Sequence, residues 1–171
     1  MDVCLAITSR RDERRYTARP LAAELVDQIL DAGRLAGSSG NRQPWVFVIP
    51  ASRERIERLA EAVFVPENVL SAGLVVAILV AGRGPTQFDA GRTAQNMLLA
   101  AWNAGVASCP NGISDADAAR SALDAAEHES VSIVLSFGHP ERERAIDAHS
   151  PAEWSDRANR KPLDQLVRRV G

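Results

Sequence analysis

Apolar positions along this chain follow two periods, and the switches between them mark the expected elements. Val3, Leu5, Ala6 and Ile7 predict a short helix from Asp2 to about Ser9, whose end delivers Arg10 and Arg11. Leu21, Leu25 and Ile29 recur at helical spacing with Val26 and Leu30 beside them, so an amphipathic helix is expected from Leu21 to about Arg34, opened after Pro20 and ended by Gly33 and Gly37. Val46 to Ile49 reads as a buried strand. Ser52 opens a polar helix to about Val63, with Ile56 and Leu59 turned inward. The run Leu74 to Val80 is continuous rather than alternating, which predicts a central strand covered on both faces. Thr86 to Ala104 is an alanine-rich helix with Ala90, Ala94, Met97, Leu98, Ala101 and Trp102 on one side, small enough to let neighbours approach closely. Val106 to Cys109 predicts a brief strand. Ser114 is expected to cap a helix reaching about Glu127, with Asp115 and Asp117 favourably placed in its first turn. Val131, Ile133, Leu135 and Phe137 alternate with Ser132 and Ser136, the pattern of a half-buried strand. After Pro140 the chain turns charged and the periodicity fades.

This order is not a strict alternation of strand and helix, and no Gly-x-Gly-x-x-Gly follows a strand, which argues against a dinucleotide-binding Rossmann domain. An α+β fold, a mixed or antiparallel sheet flanked by helices, fits better. At 171 residues, with 46% hydrophobic and 25% charged residues, the chain suits a single domain spanning residues 1–171, with no internal repeat and no linker. A net charge of −2 gives no global attraction to nucleic acid or to an anionic membrane. The first residues lack a signal-peptide pattern, the apolar run from Leu74 to Ala81 is too short to span a bilayer, and two cysteines make no disulfide framework. A cytoplasmic protein is expected.

Three polar stretches carry the chemistry. Ser38-Ser39-Gly40-Asn41-Arg42-Gln43-Pro44-Trp45 concentrates backbone donors where a helix hands over to a strand, although such a cluster taken alone reads as an ordinary loop. The second stretch is Arg10-Arg11-Asp12-Glu13-Arg14-Arg15, and the third is Asn159-Arg160-Lys161-Pro162-Leu163. Together these three resemble the FMN-dependent nitroreductases. Arg10 to Tyr16 and Ser38 to Trp45 match that family's two opening motifs, and the likeness continues through Asp89 to Ala101, Gly105 to Gly112 and the Arg160-Lys161-Pro162-Leu163 tail. The region from about Ser52 to Gln87 is shorter and matches poorly.

The resemblance implies a nitroreductase-like intertwined homodimer with FMN at the interface, in which the tail of residues 141–171 wraps the partner subunit. It places Arg10, Arg14 and Arg160 at the FMN phosphate, a dianionic group suited to forked, permanently charged donors, with Arg11 in the same motif and Lys161 as an extra contact. For Arg11 and Arg15 a solvated helix end is an equal reading. Asp12 stands where the family commonly has a small hydroxyl residue, and so belongs to the same candidate set. Ser38, Ser39 and Asn41 match residues that reach the flavin from the other subunit, while Trp45 reads as core. Cys109-Pro110-Asn111-Gly112 resembles the loop whose backbone N–H meets flavin N5, with Gly112 or Ile113 presenting the amide and Asn111 beside them.

No acid–base constellation stands out, and none is required, because hydride transfer is the flavin's own chemistry. His128, His139 and His149 lack metal spacing and read as surface residues; Cys109 reads as a packed, inert thiol. Asp89, Gln95 and Asn96 match the family pattern or serve as caps and interface hydrogen bonds. The implied function is hydride transfer from NAD(P)H through FMN to a small electrophile such as a nitroaromatic or quinone. Two alternatives stay open. One is a specialised flavin enzyme, a reductive dehalogenase or flavin-consuming oxygenase; the other is a non-enzymatic dimeric module that has lost the flavin.

Overall fold

A computed structural model describes residues 2–142 and 144–170, which divide into two units, Arg11–Glu143 and Met1–Arg10 with Arg144–Gly171. Among the described residues the helices are α1 (Val3–Ser9), α2 (Ala23–Arg34), α3 (Arg53–Glu61), α4 (Pro66–Leu70), α5 (Thr86–Asn103), α6 (Ala116–Ala122) and α7 (Pro151–Arg157). The strands are β1 (Trp45–Val48), β2 (Leu74–Ala81), β3 (Ala107–Asn111) and β4 (Glu129–Gly138). They form one sheet in the order β1-β2-β4-β3, and every neighbouring pair is antiparallel. The fold is α+β, a sheet flanked by helices.

The larger unit is built on β2. Leu74, Val76, Ile78 and Val80 pack with Leu135 and Phe137 of β4 against Ile29 of α2 and Ala90, Met97, Leu98 and Ala101 of α5. The alternate residues Val75, Ala77 and Leu79 pack with Val134 against Leu59 of α3, Val69 of α4 and Ala119 of α6. Both faces of β2 are therefore dry, which is why its sequence runs apolar without alternation even though its partners are antiparallel. Each fully buried side chain of this kind, such as Ile29 or Met97, contributes about 1.5–3 kcal/mol.

Several expectations are corrected. The segment expected as a buried strand, Val46 to Ile49, is an edge: among the described residues β1 pairs with β2 alone, and Val46 is 50% exposed. Gly33 does not end α2. It lies inside the last turn, where a Cβ would overlap the Met97 side chain, so the glycine lets α2 approach α5. The helix expected from Ser114 is capped instead by Asp115, whose carboxylate accepts the Asp117 and Ala118 N–H groups. It stops at Ala122, ahead of Asp124 at φ 49°. The Ser114 and Asp115 N–H groups both donate to Ala62 O, and the Asp115 side chain is the one that reaches the first-turn N–H groups. β3 runs two residues beyond the expected end, to Asn111. β4 is buried on both faces over its second half, Ser136 included. The short helix α4 falls where no element was expected.

The smaller unit holds α1 against α7. Asp2 caps α1, accepting from the N–H groups of Cys4 and Leu5. Ser150 and Glu153 form a reciprocal capping box at the start of α7, and Trp154 donates its indole N–H to Ile146 O at 2.9 Å while stacking edge-on with His149. The charged tail thus carries order that its fading periodicity did not foretell. From Asn159 onward every described residue is exposed, including Leu163, Leu166, Val167 and Val170.

Candidate functional site

The basic stretch is fastened to the sheet. The Glu13 N–H donates to Ser108 O at 3.0 Å, and the Tyr16 hydroxyl turns back to donate to Glu13 O at 2.8 Å. Arg11, Asp12 and Arg14 are carried on this fastened segment, Arg11 half-buried and the other two exposed. Ser108 lies on β3, so the arginines are tied to the strand whose end presents Gly112. Arg10, half-buried, caps α1 in the smaller unit and donates its N–H to Ala6 O at 3.1 Å. Arg160 and Lys161 belong to that unit too. Both are exposed and follow Asn159, which turns the chain at φ 49°.

At the end of β3 the Gly112 carbonyl accepts from Phe64 N–H at 3.1 Å and Ser114 N–H donates to Ala62 O at 2.9 Å, the two bonds of the Val63↔Ile113 bridge. That pairing uses neither the Gly112 nor the Ile113 N–H, and the β3–β4 ladder ends at Asn111↔Val134. Among the described residues neither of these two adjacent backbone donors has a hydrogen-bond partner, and Gly112, without a side chain, is exposed. Asn111 faces inward instead. It is 4% exposed, donates to Cys109 O, Val134 O and Ser136 Oγ, and accepts from Asn68 Nδ2 at 3.0 Å. Its side-chain amide is fully used inside the protein.

The Ser38 to Asn41 loop precedes β1. Ser38 Oγ accepts the Gln43 N–H at 2.8 Å, and Gly40, Asn41 and Gln43 all take positive φ. The Ser39 N–H donates to Asp89 Oδ2 at 3.1 Å, which anchors the loop on the first turn of α5. Asn41, exposed, accepts from the Gln43 side chain. Because β1 and β3 are opposite edges of a four-stranded sheet, three interstrand spacings separate them, about 14 Å at 4.8 Å each.

Tyr16, Ser136 and Asn68 carry no signal in sequence that would have placed them here. Tyr16 closes the arginine motif, but its hydroxyl meets Ser136, 120 residues away, only through the fold. Burial pushes its phenol well above the usual tyrosine range, against the Ser136 hydrogen bond, which lowers it. The hydroxyl is neutral and serves as a hydrogen-bonding group.

The donor set suits FMN: guanidinium groups on a fastened segment for a phosphate, and adjacent backbone N–H groups without a competing side chain for the polar rim of a flat ring. The nitroreductase family model matches residues 7–77 and 80–139. A protein of Archaeoglobus fulgidus provisionally named NADH dehydrogenase/NAD(P)H nitroreductase is 30% identical over 155 residues, covering 84% of this chain and 89% of its own. A protein of Methanothermobacter thermautotrophicus with the same name is 30% identical over 151 residues, 82% of this chain and 78% of its own. Among solved structures, a nitroreductase-like protein of Desulfovibrio desulfuricans in complex with FMN is similar at TM-score 0.82 and 26% identity, covering 100% of this chain and 98% of that one. These matches, together with the four-stranded α+β fold, establish that the chain belongs to the nitroreductase family.

Proposed function

We propose that this oxidoreductase binds FMN and, as a homodimer, passes hydride from NAD(P)H to a small electrophile such as a nitroaromatic or a quinone. The observation that carries the reading is the pinning of the arginine segment onto β3 by the Glu13–Ser108 bond, with the open N–H groups of Gly112 and Ile113 at the end of the same strand. FMN, when bound, supplies the hydride-carrying chemistry. The chain's own residues bind and orient. Arg10, Arg11, Arg14 and Arg160, with Lys161, hold the phosphate, and Gly112 or Ile113 donates toward the atom where negative charge develops. Asn111, its side chain turned inward, supports the strand end.

Ser38, Ser39 and Asn41 are assigned to the flavin of a second copy. Their loop enters one edge strand while Gly112 leaves the other, and this separation favours a site completed by two protomers. No helix among the described residues is long and apolar enough to cross a membrane. The deciding experiment is anaerobic mixing of FMN-loaded protein with NADH or NADPH, then with a quinone. Bleaching of the flavin absorbance followed by its return on adding the quinone is expected; protein that stays colourless when FMN is added overturns the reading.

A further inference from the structure

The segment between α3 and α4 presents an aromatic ring that the proposed chemistry does not use. Phe64 is 73% exposed, and Val65 beside it 45%. A single exposed apolar side chain is ordinary, and what sets Phe64 apart is where its backbone is held. Its N–H donates to Gly112 O at 3.1 Å, and the Ser114 N–H donates to Ala62 O at 2.9 Å. On the other side, Asn68 Nδ2 of α4 donates to Asn111 Oδ1 at 3.0 Å. The chain before and after Phe64 is thus tied to the end of β3.

The Val63↔Ile113 bridge also decides where the ring points. Neighbouring side chains of a paired segment leave on opposite sides, so with Val63 turned inward at 3% exposure, Phe64 is turned out. There its ring lies against Gly112: a Cβ on that residue would stand 3.1 Å from Phe64 Cδ2 and 3.4 Å from Cε2. Both residues belong to the larger unit. The ring therefore borders the Gly112 and Ile113 N–H groups, the donors assigned to the flavin atom from which hydride leaves.

We infer that Phe64 is a specificity-determining residue, whose ring forms an apolar wall of the electrophile site and favours planar aromatic electrophiles over saturated ones of the same size. The inference rests on the FMN reading above and names a residue that bears on which electrophile that site takes. The electrophile has to come to the atom beside the Gly112 and Ile113 amides, because hydride passes only between groups in contact. A ring held there covers the electrophile's apolar surface and adds ring–ring attraction. Little order is lost in doing so, since the backbone is already tied down and only two side-chain torsions remain. NAD(P)H carries phosphates and riboses that make contacts of their own. A small electrophile has little beyond its ring, and so depends most on Phe64.

The test uses oxidised, FMN-loaded protein without reductant, so that binding is read in the absence of turnover. Nitrobenzene and nitrocyclohexane, which share the nitro group and differ in the planarity of the ring, are titrated against the flavin absorbance of wild type, Phe64→Ala and Phe64→Tyr. Wild type is expected to favour nitrobenzene, and Phe64→Ala to lower that preference about fivefold, the size of one aromatic pair. Phe64→Tyr, which keeps the ring, is expected to retain the preference. The side chain is exposed and its segment is held by backbone bonds and Asn68, so both variants keep the fold, and their FMN affinity and sedimentation should match wild type. An unchanged preference in Phe64→Ala overturns the inference and leaves the FMN reading standing. A preference that falls only together with FMN binding or with the dimer also overturns it, and assigns the ring to a flavin or subunit contact. Wild type that takes up no FMN overturns both.

Discussion

Asp89, 3% exposed, accepts the Ser39 N–H at 3.1 Å across 50 residues of sequence, so the first turn of α5 holds the loop that leads into β1. A buried carboxylate that receives a backbone donor is bound by a charge-assisted hydrogen bond, and Arg92 stands 4.0 Å from its other oxygen. Replacing Asp89 with Ala removes the acceptor and leaves the Ser39 amide unmet, at a cost of about 1.5–3 kcal/mol. Asp89→Asn keeps an acceptor oxygen and is expected to cost less. Urea unfolding of both variants measures the difference; equal losses would show that the charge, rather than the anchor on Ser39, sets the stability.

Arg160→Ala is expected to weaken FMN binding by about 1.5–3 kcal/mol, whereas Arg15→Ala should change it by about 0–1 kcal/mol, the range for an exposed side chain without a fixed partner. Both residues are exposed, so their surroundings within the chain do not distinguish them. Equal dissociation constants by flavin fluorescence would remove Arg160 from the phosphate site.

Asp12 sits exposed on the pinned segment between Arg11 and Arg14. If its carboxylate faces the phosphate, Asp12→Ser removes a repulsion of about 4 kcal/mol per unit pair at 4 Å, and FMN binds more tightly by a margin that shrinks in salt. We expect tighter binding at low ionic strength. Weaker binding by the mutant at low and high salt alike would recast Asp12 as a support that holds an arginine in place.

The exposed Leu163, Leu166, Val167 and Val170 form an apolar stretch with no cover in the described residues. Deleting residues 159–171 is expected to abolish both the dimer and flavin binding while leaving the larger unit folded. Sedimentation and absorbance test it together: a truncated protein that stays dimeric and yellow assigns the tail another purpose.

Glu153 offers a pH test of the tail. The Ser150 N–H and hydroxyl hold its carboxyl below the ordinary value of 4.5. A carboxyl lowered on folding stabilises the fold above its unfolded value, and that contribution is lost as pH falls through the lowered folded value. Glu153→Ala should therefore lower the melting temperature at pH 7, by a gap that closes as pH falls through the lowered folded value. A gap between the two proteins that persists in acid would show that the loss comes from packing rather than from the capping charge.

The sequence by itself determined the parts of the fold that local periodicity encodes. The run Leu74 to Val80 is apolar at every position because both of its faces are covered, and α5 is readable because its small residues repeat on one side. The motifs at Arg10 to Tyr16 and Ser38 to Trp45 likewise sit in short contiguous stretches, and the family was legible from them. Where an element's state depends on its neighbours, the pattern was silent or misleading. Val46 and Val76 are the same residue type in similar runs, yet the first is on an edge and the second at the centre, since strand order is set by pairing rather than by composition. Ser136 alternates as a solvent-facing serine would, and is buried because Tyr16 and Asn111 satisfy its hydroxyl from far away in the chain. The same network turns the Asn111 side chain inward. Only the tertiary structure could decide this, because a buried polar group is tolerated where distant partners meet its hydrogen bonds, and those partners have no fixed spacing in sequence.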